Sequence, residues 1–177
     1  MRGVCFLLVS IVLCAVSGCS SKDVTCERDK QKLLARAESV TEAFKHADAQ
    51  TIVDMMYPAV VRSLGGREKT IAIADQATAE MAARGLRLDR FSLGQPTKTY
   101  HDGKKSLCFI PREMDMSMGA TKTRNLGYLV AIHDVKESPD WTFLDSNVFN
   151  KNPRLLRQMF PGLPPDVEQP PSRNEPM

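Results

Sequence analysis

The sequence predicts an α+β domain in which N-terminal helices precede an antiparallel sheet. Apolar residues recur at steps of three and four as far as Gly85, and at steps of two from Leu86 onward. Asp102-Gly103 lies between two alternating runs, which is the chemistry of a tight hairpin turn and makes the sheet antiparallel. The 177 residues, 42% hydrophobic and 25% charged, suit one ordinary domain and exclude a coiled coil, a collagen-like array and a wholly disordered chain.

The elements follow in order. Leu33, Ala37, Val40, Phe44 and Ala47 form the stripe of an amphipathic helix. Asp48 is placed to cap a second short helix carrying Ile52, Val53 and Met56, which Pro58 breaks after Tyr57. Gly65-Gly66 gives a turn, and a third helix from about Arg67 carries Ile71, Ala74, Thr78 and Met81 on one face, with Gly85 ending it. Leu86, Leu88, Phe91 and Leu93 mark a strand with an irregular alternation. Thr97 to His101 and Lys104 to Ile110 flank the hairpin, Gly119 falls in a connection, and strands follow over Asn125 to His133 and Trp141 to Asp145. Asn152-Pro153 opens a short helix with Leu155, Leu156 and Met159. Beyond it, residues 161–177 hold six prolines among few large apolar groups, so a disordered tail is expected, and deletion of 163–177 is expected to leave the fold intact.

The first residues carry an address. Arg2 precedes an apolar run from Val4 to Val16, broken only by Ser10 and too short to span a bilayer, where roughly 20 residues are needed. Val16-Ser17-Gly18-Cys19 resembles the bacterial lipobox. The resemblance implies a signal peptide over 1–18, acylation of the Cys19 thiol, and a lipidated tether over 19–26, with Ser20 favouring the outer membrane over the inner. The expected location is therefore the bacterial cell envelope. Cys5 and Cys14 leave with the signal and Cys19 is consumed by lipid, so Cys26 and Cys108 remain in a compartment that permits disulfides. Two readings of them stand: a Cys26–Cys108 disulfide, and a free Cys108 thiol buried in its apolar run.

No cofactor motif is read. Neither remaining cysteine has a partner at zinc-knuckle spacing, and His46, His101 and His133 lie far apart in sequence. A net charge of +3, from 24 basic and 21 acidic side chains, is too small a footprint for nucleic acid. Met114, Met116 and Met118 alternate with Asp115 and Ser117, so an extended backbone places the three on one face, as core or as an adaptable pocket or groove.

The helix from Ala43-Phe44 to Asp48, the Tyr57-Pro58 turn, Gly65-Gly66 and the Trp141-Thr142-Phe143-Leu144-Asp145 strand together resemble the nuclear transport factor 2-like superfamily, in its small secreted branch. The resemblance covers roughly residues 27–150, and with the short C-terminal helix the expected domain runs over 27–160. It implies a cone, with helices against a strongly curved antiparallel sheet around a cavity. Members of that superfamily include isomerases and dehydratases as well as non-catalytic binders. An enzyme would need an acid or base in the cavity beside a donor for a developing oxyanion, and Tyr57, His133, Asp145 and Asp115 are the candidates. Three of them also have a plain role: Tyr57 in half-buried packing with a wet hydroxyl, His133 at the surface by a strand end, Asp145 as a tolerant cap of the turn through Ser146 and Asn147. The expectation is thus a lipid-anchored envelope protein that binds a partner protein or small ligand without catalysis. The alternative is a cavity enzyme of the isomerase or dehydratase kind.

Overall fold

In a computed structural model of the chain, which describes residues 24–150, 152 and 154–177, four helices end at Ala83 and the first strand begins at Leu86. The signal segment and Cys19 lie outside the described residues. Helix α1 (Lys30–Lys45) buries Leu33, Ala37, Val40 and Ala43, close to the expected stripe. Asp48 caps α2 (Ala49–Met55), its carboxylate accepting from the Thr51 N–H at 3.1 Å and the Thr51 hydroxyl at 2.6 Å. Pro58 does more than break a helix: it opens a further one, α3 (Pro58–Ser63), because a first helical position needs no N–H. In α4 (Arg67–Ala83) only Thr70 is buried.

Strands β1 (Leu86–Leu93), β2 (Tyr100–Asp102), β3 (Lys105–Met118), β4 (Thr121–His133), β5 (Thr142–Asp145) and β6 (Arg173–Pro176) form one curled antiparallel sheet. The order is β1-β3-β4-β5, with β2 beside β3 and β6 beside β4. The long β3–β4 hairpin is its axis. Met118 pairs with Thr121 across Gly119-Ala120, and Gly119 takes the positive φ of 59° that so short a turn requires. The irregular alternation of β1 has a physical cause, a bulge at Asp89 that keeps Leu86, Leu88 and Phe91 paired with Met118, Met116 and Met114.

Both faces of the sheet are covered. On the helix face, Cys108, Ile110, Leu129 and Ala131 pack with Leu33, Ala37 and Val40 of α1 and with Trp141 and Phe143. Trp141 is fully buried, its indole N–H donating to Asp29 at 3.4 Å and its carbonyl accepting from Arg36 at 2.6 Å. On the opposite face, Leu107, Phe109, Tyr128, Val130 and Ile132 pack with Phe149 of α5 (Asn147–Asn150), Leu156 of α6 (Leu155–Met159), Phe160 and Leu163.

Here the structure departs from the expected disordered tail. Residues 161–177 run across the second face and end in β6, paired with β4 from Thr123↔Pro176 to Leu126↔Arg173. The tail needs no core of its own, because it covers aromatic surface that the helices leave open. Leu163 is buried, Gln169 accepts from the Tyr128 hydroxyl at 2.6 Å, and the Tyr100 hydroxyl accepts from the Glu168 N–H at 3.1 Å. Proline is tolerated because β6 is an edge strand.

The expected tether is likewise shorter than 19–26. Cys26 is bonded to Cys108 in a disulfide that spans 82 residues of sequence, with Cα atoms 6.4 Å apart. The Val24 carbonyl accepts from the Ser106 hydroxyl at 2.6 Å, and the Cys26 N–H donates to the Thr99 hydroxyl at 2.8 Å. Thr99 in turn donates to both oxygens of Glu27, and its hydroxyl holds that carboxyl below the usual glutamate range.

Candidate functional site

An apolar groove of about 140 Å³ opens where α1, α2 and α3 meet β5. Val40 and Phe44 reach it from α1, Ile52 and Met55 from α2, Val60 and Leu64 from α3's end of the chain, and Leu129, Phe143 and Leu144 close it from the sheet. Periodicity puts them there: steps of four on α1 and of three on α2 aim the side chains at one line. Phe44, Leu64 and Val148 at the groove are 38%, 38% and 41% exposed, a degree of exposure unusual for large apolar groups that share one opening.

Asp145 is the polar member of the wall, and it is already engaged. Arg112, whose side chain is wholly buried, donates from Nε to Asp145 Oδ2 at 2.6 Å and from Nη2 to Oδ1 at 2.8 Å. Its Nη1 donates to Asn125 at 2.5 Å, and Asn125 donates to Asn174 of β6 at 2.6 Å, so the network crosses from β5 to the C-terminal strand. The Asn147 N–H donates to Asp145 Oδ1 at 2.8 Å, which is the turn-capping role read from the sequence. The tolerance expected of Asp145 does not survive this: the carboxylate is the counter-charge of a buried guanidinium. Gly127 makes the arrangement fit, since a Cβ there would stand 2.9 Å from Arg112 Cζ and 2.6 Å from Ser146 Oγ.

Arg112 and Gly127 are what sequence reasoning missed, although a signal existed. A two-residue turn at Gly119-Ala120 fixes the β3–β4 register, and that register sets Arg112 opposite Gly127 among apolar neighbours. A charge on such a face demands a buried partner.

The other candidates do not converge. Tyr57 packs on the second face and is 5% exposed rather than wet; its hydroxyl donates to Asp134 at 3.0 Å. Burial pushes the phenol well above the ordinary tyrosine range, and the hydrogen bond to Asp134 adds to the rise. His133, expected at the surface, is 8% exposed, with its ring 5.3 Å from that of Trp141 on the helix face. Asp145 pairs with Leu129, four residues from His133 along β4, or about 13 Å. Asp115 lies on the other face between Arg90 at 2.9 Å and Arg124 at 2.8 Å, and the Arg124 hydrogen bond holds its carboxyl below the aspartate range. Of the three methionines, Met114 and Met116 are half-buried opposite Phe91 and Leu88, while Met118 is 50% exposed and lines a shallow groove with Met81 and Leu86.

No protein-family model matches the chain, and neither a curated protein nor a solved structure is similar to it.

Proposed function

We propose that the protein is a lipid-anchored component of the bacterial cell envelope, more specifically of the outer membrane, and that it binds an apolar group of a partner protein or small ligand without transforming it. The cone of the nuclear transport factor 2-like superfamily is the finer description proposed for its α+β fold. The observation that carries the binding reading is the groove between the first three helices and β5, with Phe44, Leu64 and Val148 at its opening. Its one carboxylate is saturated by Arg112 and the Asn147 N–H, so the wall offers apolar contact rather than a general base. The groove is probed with the neutral dye N-phenyl-1-naphthylamine. Wild-type protein is expected to enhance its emission with saturable binding, and Val60→Trp, which fills the groove, to weaken that binding at least tenfold. Equal binding by both proteins overturns the assignment.

The address has separate support. A disulfide that ties the N-terminal segment to β3 suits an oxidising export compartment, and Val16-Ser17-Gly18-Cys19 supplies the acylation motif. In cells given labelled fatty acid, the wild-type chain is expected to take up label and fractionate with outer membrane, and Cys19→Ala to do neither. A Cys19→Ala chain that still incorporates label removes the anchor from the proposal.

A further inference from the structure

Five positions separate Cys19 from Val24, so an extended link reaches about 18 Å at most. Val24 is held by Ser106, and Ser106 pairs with His133, the last residue of β4. Whatever holds Cys19 therefore lies near one end of the sheet, the end that carries the β2–β3 hairpin and the turn over 134–140. Helix α1 leads away from that end, since Leu33 packs by Cys26 and Cys108 whereas Phe44 stacks on Phe91.

The chemistry of this end is asymmetric. Its acids are paired within the protein: Asp134 accepts from Tyr57, Glu137 accepts from both terminal nitrogens of Arg62 at 2.6 and 2.7 Å, Asp140 pairs with Lys32 at 2.9 Å, and Asp102 pairs with Lys105 at 3.1 Å. Lys104 and Lys136 are exposed, and among the described residues neither is in an ion pair. At the same end, next to Lys136 on the turn that follows β4, Val135 is 63% exposed, the most exposed of the large apolar side chains described. An exposed apolar residue and two exposed lysines at the end of the sheet nearest the lipid anchor match a bilayer surface in both polarity and charge.

Resting on the lipid-anchor reading, we infer that this end of the sheet docks on the membrane, with Val135 entering the headgroup region and Lys104 and Lys136 facing anionic phospholipid. The groove at the opposite end of α1 is thereby turned toward the aqueous side, where a partner can reach it.

The test uses the full acylated chain purified from cells and reconstituted in vesicles of phosphatidylethanolamine and phosphatidylglycerol. Val135→Cys and Met118→Cys are each labelled with an environment-sensitive dye; Met118 lies twelve residues from Ser106 along β3, about 40 Å away. Quenching by doxyl-labelled lipid is expected to be at least threefold stronger at position 135, and Lys104→Glu with Lys136→Glu to halve it. Hydrogen exchange of the unlabelled wild-type chain on the same vesicles is expected to slow over 134–136 and not over 117–120. Equal or stronger quenching at 118, or no slowing over 134–136, overturns the inference. The intact mass of the same sample separates the two failures: an acylated chain that leaves position 135 unquenched refutes the docking surface alone, and a chain without acyl groups refutes the anchor and the docking together.

Discussion

Asp145→Asn is expected to destabilise the domain by about 3–5 kcal/mol, more than its position at a strand end suggests. The substitution keeps one acceptor oxygen but replaces the other with an amide that presents hydrogens to the Arg112 fork, and it leaves the guanidinium charged. Arg112 has no exposed side-chain surface, so water cannot take over the lost interaction, whereas the Asp145 side chain is 20% exposed. That difference predicts an asymmetry. Arg112→Met should cost only about 1–2 kcal/mol, because Asp145 retains the Asn147 N–H and access to solvent. Combining Arg112→Met with Asp145→Leu should recover most of the loss, since replacing a whole buried ion pair by apolar groups is close to neutral. Denaturant titration of Asp145→Asn gives the first figure, and Arg112→Met, Asp145→Leu and their double variant close a double-mutant cycle. If Asp145→Asn unfolds at the wild-type midpoint, the pair is not what holds β3 to β5.

Those residues also mark how far the sequence can be read. The α1 stripe, the Asp48 cap, the hairpin at Asp102-Gly103 and the irregular β1 are legible because each rests on spacing within a short window, the bulge at Asp89 being the irregularity itself, whereas the face expected of α4 stays half-buried with Met81 exposed. The burial of His133 and Tyr57 is not legible because it depends on how the chain folds back, His133 against Trp141 across the turn that follows β4 and Tyr57 against Phe160, far away in sequence on the other face. The groove was illegible for the same reason. Val40 and Phe44 were visible as a stripe, but nothing local says that Val60, Phe143 and Val148 stand across from them. The tail was misread on composition, which measures whether a segment can build a core and is silent on whether it can complete one already present.

Deleting residues 163–177 is expected to cost roughly 3–6 kcal/mol, a large share of the 5–15 kcal/mol typical of a domain. Leu163, 5% exposed, accounts for about 2 kcal/mol of burial on its own. Its loss, with that of Val167, uncovers part of the cluster that holds Tyr100, Phe109, Tyr128 and Phe160. The truncation also removes Gln169 from the Tyr128 hydroxyl and β6 from β4, and with β6 the Asn174 side chain that completes the Arg112–Asn125 chain. Against these gains of the intact protein stands the entropy of ordering the segment, which the deletion releases and which keeps the net figure well below the summed contacts. Two point variants divide the effect: Leu163→Ala tests the packing, at about 2–3 kcal/mol, and Asn174→Ala tests the polar link, at about 1 kcal/mol. Thermal and denaturant unfolding of the full chain and the three variants gives the order, truncation first, then Leu163→Ala, then Asn174→Ala. A truncated chain that melts within a degree or two of the full one would mean that the tail does not cover the sheet, and that the aromatic face of β3 and β4 is closed by α6 and Phe160 alone.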